Sequence, residues 1–332
     1  MFNVKSIDET KILIKEYFSS FQLTEKIVKV EESFGYVIAK DIHSKENVPH
    51  YNRSTVDGYA CISTSIQLAS EQSEIPLTFI GESKMGEECL FEVDDTSCVY
   101  VPTGGHLPKN ADCMVMIEDT NTLGSQVLIG KPSSKWNNVL LKGSDIEQGE
   151  VVFLQYTKIN DRVIGTLKSL GINEVVVYER LKVAIISTGD ELTLNSELKI
   201  GEIRDINTFT ISNYIKDYCD IKKQVIIKDD FEQYKNAIYQ GFEECDLVLS
   251  SGGSSVGDKD YTAAIMKELG ADVFVHGINI KPGKPTVLAR YKKKAFIGLP
   301  GQPTSAYVVL NVIFKEFYDA IYHQTKKPQP YI

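Results

Sequence analysis

At 332 residues the chain is too long for one ordinary hydrophobic core, so two or three domains are expected. Its 42% hydrophobic and 24% charged content is that of a soluble globular protein, and no stretch approaches the roughly 18 apolar residues of a spanning helix. The net charge of -9 argues against a nucleic-acid binder that works by neutralising phosphates, though a local lysine cluster can still dominate a pocket for a small anion.

The N-terminal stretch MFNVKSIDETKILIKEYFSSF is charged throughout and lacks the apolar centre of a signal peptide. A helix is predicted over 8–20, where Ile12, Leu13, Tyr17 and Phe18 recur on one face. From Val48 to Leu141 the texture changes to short apolar runs between Gly, Pro, Asn and Asp (LTFIG, CVYVPTGG, CMVMIED, QVLIG), which predicts a mostly β region. KGSDIEQGE is a turn-rich return, and NDRVIGTLKSLG reads as a short helix closed by glycine. The six cysteines have no C-x-x-C spacing, which predicts reduced, mostly buried thiols in a cytoplasmic protein.

From Leu181 onward apolar strands alternate with helical segments. The strands are KVAIIST, KQVIIK, DLVLSS, VFVHGI and a hairpin in TVLARYKKKAFIGL; the last helix is PTSAYVVLNVIFKEFYDAI. This order predicts an α/β region with a mainly parallel sheet, in which ligands bind beyond the carboxyl ends of the strands. That rule selects three loops, STGDEL, SSGGSSVGDKD and GLPGQP, for one crevice.

The middle loop offers Ser251, Gly252, Gly253, Ser254, Ser255 and Gly257. It matches neither G-x-G-x-x-G nor G-x-x-x-x-G-K-S/T, yet glycines and hydroxyls ahead of a helix suit a phosphate or another oxyanion. A tight strand-to-helix turn is the other reading. Lys281 and Lys284 flank a Pro-Gly turn and would neutralise an anion as point charges, or form a solvated basic turn. Gly301 and Ser305 stand where GLPGQPTSA starts a helix and could add oxyanion contacts. Asp190, Glu191, Asp205, Asp258 and Asp260 gather around the same loops. Carboxylates beside a phosphate cradle make chemical sense when Mg²⁺ bridges them, which points to phosphate ester or anhydride chemistry.

In order along the chain, STVDGYA, VPTGGHLPKNADCMVMIED, ISTGDEL, SSGGSSVGDKDY, KPGKP and GLPGQPTSA resemble the motifs of the molybdopterin molybdenumtransferases, the MoeA/gephyrin E-domain family, over residues 5 to about 325. The resemblance implies insertion of molybdate into adenylylated molybdopterin with Mg²⁺ and release of AMP. It implies a homodimer whose cleft lies between the α/β domain of one protomer and the β domain of the other, and a molybdopterin adenylyltransferase as a further partner. The positions that match the motifs are Asp57, Thr103, Glu191, Asp229, Asp260, Lys281 and Lys284. Of these, Asp260 and Glu191 fall to Mg²⁺ or its water shell. Lys281, Lys284 and Ser305 fall to the molybdate or phosphate anion, the glycine loop with Pro300 and Gly301 to the substrate phosphates, and Asp57 and Thr103 to contacts across the dimer.

The implied fold is an α/β molybdopterin-binding domain with a mainly parallel three-layer sheet (179–325), a mostly β domain (47–143) and an elongated linking domain (1–46 with 144–178). Residues 326–332 form a tail where a fourth, β-barrel domain would begin. That position keeps open a non-catalytic pterin-binding or scaffolding protein, and the resemblance of the α/β region to the smaller molybdopterin adenylyltransferases keeps open an adenylyltransferase-like activity. The motif usually written Pro-Gly-Asn-Pro is Pro300-Gly301-Gln302-Pro303 here, one methylene longer at the amide.

Overall fold

The computed structural model describes residues 4–253 and 261–324. The chain divides into two compact units, residues 1–40 with 155–332 and residues 41–154.

The first unit is built on a six-stranded sheet in the order Cys219–Ile227, Leu181–Thr188, Leu247–Ser251, Lys294–Leu299, Val287–Tyr291, Asp272–His276. The first four strands run parallel, Val287–Tyr291 runs against both neighbours, and the expected α/β sheet is therefore mainly parallel. The helices of this unit are α1 (Ile7–Phe18), α2 (Asp161–Ser169), α3 (Asn207–Ile215), α4 (Phe231–Glu244), α5 (Tyr261–Glu268) and α6 (Pro303–Ile321).

The apolar strands are buried on both faces, and alternate residues feed two different cores. Val183, Ile185, Leu247, Leu249, Ala295 and Ile297 point into one cluster with Ile211 of α3 and Leu310 and Phe314 of α6. Ala184, Ile186, Val248 and Phe296 point into the other with Tyr234, Ile238 and Phe242 of α4 and Ile265 of α5. A period of two along each strand thus gives three layers.

Helix α1 begins with a capping box, in which Ser6 accepts from Glu9 N and the Glu9 carboxylate accepts from Ser6 N at 2.7 Å. It packs through Ile14 and Phe18 onto the α6 side of the sheet, and it stops at Phe18 rather than at residue 20. Helix α2 is capped by Asn160, whose side chain accepts from Val163 N. Helix α3 ends at Ile215, because Tyr218 N turns back to Ile215 O and Cys219 already belongs to a strand.

The second unit is β-rich, as the sequence predicts. Its main sheet runs Cys113–Met116, Gly58–Cys61, Ser97–Val101, Ile75–Glu82, Gln126–Ile129, Thr120–Leu123, antiparallel except for the parallel pair Ile75–Glu82 and Ser97–Val101. It also buries both faces: Tyr59, Cys61 and Val115 enter one cluster, Ala60, Met114 and Val99 the other. Gly58 is fixed by close approach, since a Cβ there would lie 1.9 Å from the Val115 carbonyl oxygen. All six cysteines are buried and free. Among the described residues no helix is long and apolar enough to cross a membrane.

Candidate active site

In a parallel sheet every strand delivers its next loop to the same edge. The register pairs Ser187 with Ser251 and Ser251 with Leu299, so the three loops expected to converge do leave the sheet side by side. The antiparallel strand Val287–Tyr291 adds a fourth, because the connection into it from Asp272–His276 begins at that edge. This connection carries Lys281 and Lys284.

The loops are cross-linked by polar side chains. Asn207, at the first turn of α3 and buried, donates through Nδ2 to Ser251 Oγ (2.6 Å) and to the Gly301 carbonyl (2.7 Å). Thr208 Oγ1 lies 2.8 Å from Ser187 Oγ, and the Tyr234 hydroxyl lies 2.6 Å from Ser250 Oγ. One helix start thereby holds three strand ends together. Ser251, expected to touch substrate, spends its hydroxyl inside this network, where it also faces the Pro300 carbonyl at 3.4 Å.

The glycines of the middle loop have a steric reason. Gly252 and Gly253 take φ of +97° and +70°. A Cβ on Gly252 would sit 2.6 Å from Thr188 Oγ1, and one on Gly253 would sit 2.6 Å from the Tyr234 ring. Both the turn and the closeness therefore demand glycine. Ser254, Ser255, Gly257, Asp258 and Asp260 lie outside the described residues.

On the acidic side, Asp229 N donates to Asp190 Oδ1 (3.2 Å) and Lys228 Nζ to the Asp190 carbonyl (2.7 Å), which joins the ends of two neighbouring strands. Glu191 folds its carboxylate back over Gly189, close enough that a Cβ there would lie 2.8 Å from both oxygens. Lys281 and Lys284 are exposed and carry no acid partner among the described residues. Their turn is held by Thr286, which donates to the Gly283 carbonyl, and by Gly283 lying against α6, where a Cβ would meet Val309 at 2.4 Å.

At the start of α6 the Ser305 hydroxyl donates to Gln302 Oε1. The glutamine that departs from the usual motif thus reaches back onto the predicted anion contact. Pro303 occupies the first helical turn, and a Cβ on Gly301 would lie 3.5 Å from the Gly252 Cα.

In the second unit the structure brings Asp57 and Thr103 together. Both are exposed, and Thr103 N donates to Asp57 Oδ1 at 2.8 Å. Burial first, then the nearby Asp57 charge, raises the Tyr100 hydroxyl above its ordinary pKa. A pocket of about 590 Å³ in this unit is lined by His50, Tyr51, His106, Trp136 and Lys142, residues that motif reading did not single out. His106 Nδ1 accepts from Cys89 N (3.0 Å), which leaves the proton on Nε2.

Sequence reasoning also missed Asn207, Thr188 and Tyr234. The only signal for them was a polar residue amid an otherwise apolar strand or helix face. Among the described residues two buried side-chain oxygens have no hydrogen-bond partner, Thr188 Oγ1 and Asp205 Oδ2. Among the described residues no group of three or more His, Cys, Asp or Glu is placed to hold a metal ion.

Residues 5–171 match the model of the MoeA N-terminal region (domain I and II), and residues 184–320 match that of a probable molybdopterin binding domain. The chain is 33% identical to a molybdopterin molybdenumtransferase of Haemophilus influenzae over 87% of its own length and 70% of the relative. It is 32% identical to one of Staphylococcus aureus over 87% and 69%. A crystal structure of a molybdopterin biosynthesis MoeA protein from Pyrococcus horikoshii superposes with a TM-score of 0.82 at 33% identity, covering 98% of this chain and 82% of that one.

Proposed function

The chain belongs to the MoeA family of molybdopterin molybdenumtransferases, transferases of molybdenum cofactor biosynthesis, and from that premise we propose that it inserts molybdate into adenylylated molybdopterin with Mg²⁺ and releases AMP. The observation that carries this reading is the pair Lys281 and Lys284, free of acid partners among the described residues. They share one sheet edge with Glu191, Asp229 and the glycine turn.

In this reaction the two ammonium groups hold the anionic oxygens of molybdate or of the departing phosphate. They act as fixed charges already in position, which stabilises charge as it develops. Ser305 adds a hydroxyl whose own proton is committed to Gln302, so it meets a ligand donor or a cation's water through its lone pairs. The backbone at Gly252 and Gly253 lets the substrate phosphates approach closely. Glu191 would offer Mg²⁺ a carboxylate that has no ion-pair partner among the described residues, and Asp260, which lies outside them, is the second proposed ligand. When bound, the ion neutralises phosphate oxygens. Asp57 and Thr103 contribute from a second protomer.

A homodimer is part of this reading. Leu194, Ile200, Ile203, Ile206 and Phe209 are apolar yet exposed around the loop that leads into α3, a surface that a second copy would cover. The substrate's adenylyl group calls for a molybdopterin adenylyltransferase upstream. Six free buried thiols suit a reducing, cytoplasmic setting.

The test is incubation with adenylylated molybdopterin, Mg²⁺ and molybdate. AMP release that depends on molybdate is expected; AMP release indifferent to molybdate, or none, removes the proposal.

A further inference from the structure

Asp205 stands two residues before α3 and is 5% exposed. Its Oδ1 accepts the Thr208 N–H at 3.2 Å, while Oδ2 is shut off from solvent and has no partner among the described residues. Thr188 Oγ1, at the end of the strand Leu181–Thr188, is in the same state. The two belong to one corner of the sheet edge. Thr208, which Asp205 caps, meets Ser187, the neighbour of Thr188, and Asn207 ties the same helix start to Ser251 and Gly301. A Cβ on Gly252 would meet Thr188 Oγ1 itself.

Interior oxygens are nearly always paired, because a bare one forfeits its hydration and gains nothing. Here two lie unpaired at the edge where the fold collects its loops. Resting on the reading of the substrate as a pterin, we propose that Asp205 Oδ2 is the acceptor for the aminopyrimidinone edge of the pterin ring, with Thr188 Oγ1 meeting the adjoining ring group. That edge sets a ring N–H beside an exocyclic amino group, two donors in one plane, which is what a carboxylate oxygen recognises. A hydroxyl can donate or accept, so Thr188 suits either neighbouring ring atom. Mg²⁺ is the poorer occupant: it keeps several waters in an octahedral shell, and Oδ2 is closed to water. A flat ring edge has to displace the atoms that cover the oxygen, and the pairing it restores favours that displacement. Asp205 is thus a specificity residue for the pterin, distinct from the acids assigned to the ion.

The discriminating variant is Asp205→Asn. Its carbonyl still caps Thr208, and only the bare acceptor becomes an amide NH₂. Ligand-observed NMR on the full chain would compare pterin with lumazine, in which a carbonyl replaces the 2-amino group. The wild-type protein should prefer pterin by roughly tenfold, the value of one buried donor–acceptor match, and Asp205→Asn should abolish or invert that preference without lowering the unfolding midpoint. An unchanged preference in the variant overturns the inference while leaving the pterin reading intact. A wild-type protein that binds neither ring at millimolar concentration overturns both. Loss of Mg²⁺ binding with the ring preference retained assigns the oxygen to the ion and also overturns it. If Asp205→Asn does not fold, Thr188→Val carries the comparison: it removes the second bare oxygen, leaves the cap untouched, and should weaken pterin binding severalfold.

Discussion

Both units contain a six-stranded sheet whose central strands are buried on both faces, but the sheets gather polar groups very differently. In the first unit, parallel strands send successive loops to one edge, and four separate stretches of chain meet there: residues 187–191, 251–253, 277–286 and 299–305. In the second, mostly antiparallel sheet, connections alternate between edges, so only neighbouring strands can share one. Its candidate pair, Asp57 and Thr103, arises because Gly58 lies opposite Val101, at the start of one strand and the end of the next. The first arrangement gathers distant residues at one edge; the second presents a short, exposed pair. Topology, more than residue type, decides how many functional groups one place can hold.

The largest expected effect breaks the second sheet. Gly58→Ala drives a methyl into the Val115 carbonyl, with backbone on both sides, and should cost about 3 kcal/mol in urea unfolding. A loss below about 1 kcal/mol would mean that the strands separate easily and that this sheet is no rigid support.

Next come the cations of the first sheet. Lys281→Ala with Lys284→Ala should lower molybdate-dependent AMP release by about 10²-fold, with unfolding unchanged because both residues are exposed and neither ammonium is ion-paired among the described residues. Retained turnover in this double variant would remove the lysines from the anion site.

Asn207→Ala should be intermediate. It strips the amide from Ser251 Oγ and the Gly301 carbonyl, and should destabilise the first unit by about 1–3 kcal/mol. Turnover should fall along with stability. A variant of normal stability and low activity would show that Asn207 touches substrate instead of holding loops.

The smallest effect is alkaline. Burial pushes the Cys98 thiol of the second sheet up from 9.0 to about 12. The folded state therefore keeps a proton that the unfolded chain gives up, so this contribution is intact below pH 9 and fades as pH rises towards 12. Replacing Cys98 by Ala should flatten part of the decline in unfolding free energy between pH 9 and 10.5, by about 1.6 kcal/mol at most. An identical pH slope in the variant would place the effect on another group.

Much of this comparison was legible in the residues. The strands KVAIIST and DLVLSS announce themselves by apolar runs, α2 by its closing Gly171, and the three strand-end loops by their glycines. What could not be read were pairings across long separations. Asn207 lies 44 residues from Ser251 and 94 from Gly301, and nothing local in IRDIN marks its amide as the tie between them. Similarly, the parallel pairing of Ile75–Glu82 with Ser97–Val101 depends on the chain crossing between them, which β propensity does not encode. The Gln302 amide read as a departure from the motif, and only the folded helix start shows it engaging Ser305.

The one reversed strand of the first sheet has a further consequence. Had Val287–Tyr291 run parallel to Asp272–His276, the link between them would have crossed to the far edge and returned, as such connections do, through a dozen or more residues. Because it runs the other way, residues 277–286 never leave the edge. Both lysines ride on a short tether whose backbone is clamped at Gly283 and Thr286, so little backbone freedom would be lost on binding the proposed anion. Reversing a single strand thus turns what would have been a roaming charge into a preset one.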